Sequence, residues 1–480
     1  MHQQHRAPPR RRPATGEDTE SYAVDNPIDG HGGNTRLIGH AEKLYAGVRL
    51  TVMAPPDSTG DGRSLGETAV PGRKVDPAPP RVSLADVQAA REVIRDVVRV
   101  TPLEGSRPLS DQVGGPVHLK CENLQRAGSF KIRGAYLRLS RLTAQERAAG
   151  VVAASAGNHA QGVALAAGLL NTKVTVFMPE GAPLPKVEAT RAYGADIHFT
   201  GHSVDDALVQ AIAFSEETGA VLIHPFDHPD IVAGQGTLGL EVLEQCPDVR
   251  TIVVCTGGGG LVGGVAVAVK GLRPEVRVIA AQAETAAAYP PSLAAGHPVA
   301  LDSMATMADG IAVGRPGDLP FGIVRELVDD VRTVSEESLS RALLLLLERA
   351  KLVVEPAGAA AVAAVLDEPL AFEPPVVAVL SGGNIDPLLM LRVLRHGLAA
   401  AGRYLSFRLR IPDRPGELAR VLLGLAEAGA NVLDVAHERT GPALHVDEVS
   451  VAVQLETRGP EHCGELVAHL RSSGYPVAFG

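Results

Sequence analysis

Lys131 stands between two apolar neighbours, Phe130 and Ile132, in the run Ser-Phe-Lys-Ile-Arg-Gly-Ala at 129–135. A lysine kept from water has a lowered pKa, which suits an amine nucleophile or the carrier of a Schiff base. Taken alone, an ordinary surface lysine is the commoner explanation. A second run, Ser155-Ala156-Gly157-Asn158-His159-Ala160-Gln161-Gly162, follows an apolar stretch and precedes a helical pattern. It sets polar side chains and free backbone N–H groups at a helix N-terminus, where a carboxylate or phosphate is favoured; a plain capped turn is the other reading. A third, Thr256-Gly257-Gly258-Gly259-Gly260-Leu261, has four consecutive glycines. These are costly in chain entropy, and closing backbone amides around a phosphate would explain them. The run is neither GxGxxG nor a P-loop, and a flexible turn is the alternative. The fourth, Ser381-Gly382-Gly383-Asn384, puts a small hydroxyl after an apolar strand pattern, at the strand end where ligands bind open α/β sheets.

Such turns need a scaffold that gathers them. Apolar runs at 151–155, 174–178, 197–199, 221–224, 251–256, 276–282 and 376–381 read as buried strands, and their near-continuous apolar character suits a parallel sheet covered on both faces. Helical patterns at 205–218 and 336–352 lie between them, so the fold class is α/β. Structure begins at Ser83, a helix N-cap before a pattern over 84–98 in which Leu84, Val87, Ile94 and Val98 share a face. Residues 1–80, rich in Pro, Gly, Arg and Asp, read as a disordered extension without assigned function. From about Gly402 the pattern turns to strict alternation: Leu405, Phe407, Leu409 and Ile411 against Ser406, Arg408 and Arg410. Strand, helix, strand, strand, helix, strand then follow, which is the ferredoxin-like plan of a separate domain over 401–480; the part before it, 81–400, is the candidate catalytic domain.

Apolar residues make up 45% and charged residues 21% of the 480, and the net charge is −10. That acidity argues against nucleic acid as partner. The scattered cysteines Cys121, Cys246, Cys255 and Cys463 offer no metal-ligand spacing and fit a reduced, cytoplasmic protein. No apolar run reaches the roughly 18 residues of a membrane span, and the N-terminal arginines have no apolar stretch behind them to make a secretory signal.

Together the four motifs, in this order, resemble the fold-type II pyridoxal-phosphate enzymes, whose catalytic domain is a two-lobed, tryptophan synthase β-like parallel-sheet fold. Among these they look most like threonine/serine dehydratases (threonine ammonia-lyases), over residues 83–400. The resemblance implies pyridoxal 5'-phosphate held covalently by Lys131, flanked by Phe130, with Asn158 on the ring hydroxyl. It implies further that Gly257, Gly258, Gly259, Gly260 and Leu261 cradle the phosphate, that Ser381 faces the pyridine nitrogen, and that Ser155, Gly157, Asn158 and His159 bind the substrate carboxylate. Lys131, once freed, would take the substrate Cα proton, and a neutral Ser381 hydroxyl at the ring nitrogen would favour loss of the β-hydroxyl over transamination. Ile132 stands where threonine and cysteine synthases resemble one another in having Asp. Ala156 stands where serine racemases place a second Ser as opposite-face base, so dehydration is preferred over racemisation.

Gln282 aligns with the Glu that often accompanies a cation site in related enzymes, and Glu284 lies out of register, so no metal is expected. The C-terminal part resembles an ACT domain, with Arg-Pro-Gly-Glu-Leu at 414–418 opening its first helix and Gly-Ala-Asn-Val-Leu-Asp-Val at 429–435 carrying its second strand. An amino-acid effector (isoleucine first, with valine or serine open), a homo-oligomer (dimer or tetramer) and the first step of isoleucine biosynthesis are what this implies. The alternatives are an enzyme like serine racemase and a non-catalytic ACT-bearing amino-acid sensor.

Overall fold

A computed structural model describes residues 82–439 and 444–479; the reading of residues 1–80 as disordered falls outside them. Ser83 caps the first helix, Leu84–Ile94, and forms a reciprocal capping box with Asp86. Val87, Ala90 and Ile94 are its buried face. The helix stops at Ile94, short of the expected Val98, where the β-branched Val97, Val98 and Val100 lead into Thr101-Pro102 and favour extended backbone.

Among the described residues fourteen strands follow: β1 Leu103–Gly105, β2 Val117–Lys120, β3 Val151–Ala154, β4 Val174–Met178, β5 Asp196–Phe199, β6 Val221–Leu222, β7 Thr251–Cys255, β8 Arg277–Ala283, β9 Asp330–Val334, β10 Val376–Val379, β11 Tyr404–Pro412, β12 Asn431–Glu438, β13 Glu448–Glu456 and β14 Val477–Ala478. They form three sheets. The order β1-β2-β10-β7-β8-β9 makes a six-stranded sheet, parallel except for β1 against β2; β5-β4-β3-β6 makes a smaller parallel sheet; β12-β13-β11-β14 is antiparallel. All seven strand patterns expected in the catalytic part are strands. The sequence reading missed β1, β2 and β9, of which β1 has three residues and β9 is only partly buried, so neither carries a sustained apolar run.

The large sheet is covered on both faces, as a near-continuous apolar strand requires. Val253, Ile279 and Ala378 pack on one side with the helix Pro356–Asp367. Ile252, Val254, Val278 and Val379 pack on the other against the helix Gly260–Leu272. The expected helix over 336–352 is an α-helix from Glu336 to Leu345, widens over Leu346–Ala350, and ends at Lys351, whose φ of 61° is left-handed.

Three helices meet backbone to backbone. Lys131–Ser140 crosses Pro229–Gln245 so closely that a Cβ on Gly234 would lie 2.6 Å from the Gly134 Cα, and Pro229–Gln245 meets Gly260–Leu272 where a Cβ on Gly236 would lie 2.7 Å from the Gly264 carbonyl oxygen. Of the alternate residues read from sequence on β11, the C-terminal sheet buries Phe407, Leu409 and Ile411 and part-buries Leu405, and on β13 it buries Val449, Val451, Val453 and Leu455. Helices Glu417–Glu427 and Pro460–Ser472 supply Val421, Leu425, Leu466 and Leu470 to the same core. This is the βαββαβ ferredoxin-like order.

Candidate active site

Lys131 is the first residue of the helix Lys131–Ser140. Its Nζ donates to the Pro225 carbonyl at 3.0 Å and lies 5.1 Å from the Phe130 ring centroid. Burial pulls its ammonium down to about 8, against the opposing pull of Glu355. Two residues on, Arg133 enters a fully buried charge cluster. It donates to both oxygens of Glu122 (2.7 and 2.8 Å) and both of Glu241 (2.7 and 3.0 Å), while Lys120 donates to Glu241 at 2.6 Å and Thr101 to Glu122 at 2.6 Å. The two cations and two carboxylates balance, and they fix the start of the Lys131 helix to the helix Pro229–Gln245.

The small sheet brings in the second motif. The turn after β3 runs through Ser155 into Gly157, the N-cap of the helix Asn158–Leu169, and Gly157 N–H donates to Ser155 Oγ at 3.0 Å. His159 is buried, and its Nε2 donates to the Ile223 carbonyl at 2.7 Å. Burial and then the charge of Lys131 pull its imidazole down to about 3, so it is neutral, and its backbone N–H lies in the first turn of the helix. Asn158 is held from two sides. Its Oδ1 accepts from Asn384 Nδ2 at 2.7 Å and its Nδ2 donates to Glu355 Oε1 at 2.5 Å.

The glycine run follows β7. Gly259 has φ of +96°, a conformation that disfavours side chains. A Cβ on Gly258 would come within 2.5 Å of the Phe226 Cδ1, and one on Gly260 within 2.9 Å of the Phe226 Cβ. Phe226 is the neighbour of Pro225, whose carbonyl holds the Lys131 amine, so the segment 224–226 joins the amine to the glycine turn. The glycines thus serve close packing against Phe226 as well as open amides. The fourth motif meets the first through the backbone. Phe130 N–H donates to the Ser381 carbonyl at 3.1 Å, and Ser129 pairs with Gly382. The buried Ser381 hydroxyl reaches the Cys255 thiol, whose pKa burial pushes up. All four motifs therefore converge on one cleft between the large and small sheets.

The family of pyridoxal-phosphate-dependent enzymes matches residues 94–382. An L-threonine ammonia-lyase of Geobacter sulfurreducens is 47% identical over 395 residues, covering 82% of this chain and 98% of the relative. The chain belongs to the pyridoxal-phosphate-dependent threonine ammonia-lyase family. A second member, from Thermotoga maritima, is 45% identical over 82% of this chain and 99% of its own length. Among solved structures, the processed form of threonine deaminase isoform 2 from Solanum lycopersicum is similar with a TM-score of 0.63 at 36% identity, covering 69% of this chain and 98% of that one. Maize serine racemase is similar with a TM-score of 0.63 at 37% identity, covering 67% and 99%.

The residues present suit the cofactor of this family. Lys131 is a desolvated amine whose one hydrogen-bond partner among the described residues is the Pro225 carbonyl, and burial, by lowering its pKa to about 8, raises the share of uncharged nitrogen needed to bond an aldehyde. The glycine turn leads into a helix N-terminus, which suits a phosphate.

Several residues at this cleft escaped the sequence reading. Glu355, the N-cap of the helix Pro356–Asp367, is buried, and burial and then the nearby Asp309 push its carboxyl up to about 7. The only sequence signal was a Glu before a Pro that opens an apolar helix. Asn384 was quoted within its motif but given no role. Lys186, on the helix Leu184–Ala192 beside the small sheet, forms an ion pair with Asp309 of the short turn Asp309–Ile311 in the large lobe, across the cleft. Gln282 is buried and accepts from the Tyr289 N–H at 3.0 Å, while its Nε2 has no partner among the described residues. Among those residues no helix is long and apolar enough to cross a membrane.

Proposed function

We propose that this enzyme deaminates L-threonine to 2-oxobutanoate and ammonia, and L-serine to pyruvate and ammonia. One observation carries the reading: a desolvated Lys131 amine tied through Pro225 and Phe226 to the glycine turn, in a chain that spans nearly the whole length of its threonine ammonia-lyase relatives. Lys131, Phe130, Asn158, Ser381 and the run Gly257, Gly258, Gly259, Gly260 and Leu261 hold pyridoxal phosphate, which supplies an electron sink that acidifies the substrate Cα–H.

Lys131 takes that proton, and an amine near 8 has a useful share of free base at neutral pH. The first-turn N–H groups of the helix Asn158–Leu169, with the Ser155 hydroxyl, orient the substrate carboxylate so that the Cα–H faces Lys131. His159 stays neutral against Ile223 and holds that turn in place. Serine racemases are similar structures, but Ala156 has no hydroxyl to act as a base on the opposite face, which favours elimination over racemisation.

The assignment extends to the rest of the chain. Residues 401–480 form the regulatory domain that binds an amino-acid effector, isoleucine, and the enzyme is a cytoplasmic homo-oligomer at the first step of isoleucine biosynthesis. An effector acts only through a difference in affinity between two states. The test is 2-oxo acid release by the cofactor-loaded protein with L-threonine and L-serine, each with and without isoleucine. Faster 2-oxobutanoate release, suppressed by isoleucine, is the expected result. Absence of oxo acid from both substrates overturns the reading.

A further inference from the structure

Glu355 is an expensive residue to bury. Its carboxylate has one hydrogen-bond partner among the described residues, Asn158 Nδ2 at 2.5 Å, and no cation within ion-pair distance. A half-satisfied buried carboxylate is a poor way to hold a fold together, because an apolar side chain of like volume would cost less. Such groups cluster where chemistry needs them. The surroundings are also built for it. Gly382 passes so close that a Cβ there would overlap the carboxylate and stand 3.0 Å from Asn158 Nδ2, and the Glu355 backbone N–H donates to the Gly382 carbonyl at 3.1 Å.

The geometry fixes the Asn158 carboxamide. Asn384 Nδ2 donates to its Oδ1, and Asn384 is itself anchored by donating to the Ala127 carbonyl at 2.7 Å. Turning the Asn158 amide over would set its NH2 against the Asn384 NH2 and its oxygen against the Glu355 carboxylate, losing two bonds and adding two repulsions. In the observed orientation one Nδ2 hydrogen is taken by Glu355 and one is left over. Asn384 Nδ2 also lies 3.2 Å from the Gln161 Oε1; Asn158 and Gln161 come from the small lobe, and Glu355 and Asn384 from the large one, so this lock also spans the cleft.

We propose that Glu355 is a positioning residue that locks the Asn158 carboxamide, so that its second Nδ2 hydrogen is presented to the ring hydroxyl of pyridoxal phosphate. The inference rests on the placement of Asn158 at that hydroxyl, but not on the identity of the substrate. Glu355 acts through a hydrogen bond that a neutral acceptor of the same length can replace. Its charge is therefore dispensable and its length is not.

The experiment uses the full-length protein and reads cofactor binding rather than turnover. Glu355→Ala, Glu355→Gln, Asn158→Ala and the double variant Asn158→Ala/Glu355→Ala are stripped of cofactor and titrated with pyridoxal phosphate. Affinity and the absorption bands of the bound chromophore, which report ring ionisation, are recorded for each. Loss of the hydrogen bond that orients Asn158 is expected to weaken binding about tenfold in Glu355→Ala and to alter the ratio of the bands. Glu355→Gln, whose Oε1 still accepts from Asn158, is expected to stay within about threefold of wild type. In the Asn158→Ala background, Glu355→Ala is expected to add nothing. Thermal unfolding of the cofactor-free variants confirms that each is folded, and Glu355→Gln, which conserves volume, gives a second reading should the alanine variant fail to fold. The lock is overturned if Glu355→Ala binds and absorbs like wild type, if Glu355→Gln is as damaged as Glu355→Ala, or if the two single effects simply add. Asn158→Ala without effect overturns the placement of Asn158 and the lock with it. A protein that passes these tests yet releases no oxo acid from threonine would sink the proposed substrate alone.

Discussion

Replacing Arg133 by methionine tests how the Lys131 helix is held. Arg133 makes four hydrogen bonds of 3.0 Å or less to Glu122 and Glu241, and all the participants are buried. Methionine conserves the stem but leaves two carboxylates facing one cation. Glu241 keeps Lys120, whereas Glu122 keeps only the Thr101 hydroxyl. Removing one partner of a buried pair costs about 3–5 kcal/mol. Spread over the unfolding entropy of a catalytic part of roughly 320 residues, that is a fall in Tm of about 4–7 °C.

The loss is pH-dependent with a definite sign. Burial alone would raise the Glu122 carboxyl, but Arg133, by charge and by hydrogen bonding, more than reverses this and holds it below the ordinary range. In the wild type that pairing stabilises above the unfolded carboxyl pKa and is lost as pH falls through the lower folded one. In Arg133→Met burial prevails, the folded pKa rises above the unfolded one, and protonation relieves the penalty as pH falls. The Tm deficit, followed by far-UV circular dichroism on the cofactor-loaded protein, is therefore largest at pH 8 and shrinks towards pH 5. An unchanged Tm at pH 8, or a deficit of equal size at both values, would refute the reasoning.

Gly258→Ala would drive a methyl group into the Phe226 ring and displace the neighbouring Pro225 carbonyl from Lys131; cofactor affinity falls by about tenfold or more, and wild-type affinity in a titration would contradict this. Lys131→Met makes the cofactor-free protein more stable than wild type at neutral pH. A lysine whose folded pKa is lowered to about 8 costs stability below that value and regains it as pH rises towards the unfolded pKa, so the difference closes by about pH 10; urea titrations at pH 7 and 10 check both ends. Lys186→Ala opens the ion pair across the cleft with Asp309, whose side chain is half exposed. The effect is a few-fold rise in KM for threonine that fades in high salt, with Tm almost unmoved, and a salt-independent KM would argue against it. The sequence reading aligns Gln282 with the carboxylate of a cation site, and on that reading dialysis against a chelator leaves oxo acid release within about twofold; an assay restored by added divalent metal would disprove it.

Much of the architecture was legible because its strands announce themselves. Runs such as 252–255 and Val376–Val379 are apolar at every position, as a sheet covered on both faces requires, and the C-terminal strands alternate cleanly because one face is wet. The edges were not legible. β1 is three residues long and β9 is half-buried, so neither has enough pattern to rise above its surroundings. At the site, the four motifs were readable because each concentrates glycine and small polar residues in a short stretch. Glu355, Lys186 and Asp309 were not, because each is a single charged residue whose meaning depends on partners more than a hundred positions away. Arg133 was seen only as part of a motif, since nothing local distinguishes a guanidinium bound to Glu241 from one in water.

The helix that carries Lys131 and the helix that opens at the glycine turn are both set against Pro229–Gln245 through Gly134, Gly234, Gly236 and Gly264. Main chain, not side chain, fills the gap between them. Main-chain spacing does not change with rotamer, and no smaller residue exists to bring the helices nearer. The reach from the Lys131 amine to the glycine turn therefore works as a fixed gauge: substitution at these glycines can only lengthen it. Adaptation to another side chain on the substrate, or to another working temperature, must then come from the small-sheet lobe and its loops, where contacts across the cleft run through side chains that can be exchanged one at a time.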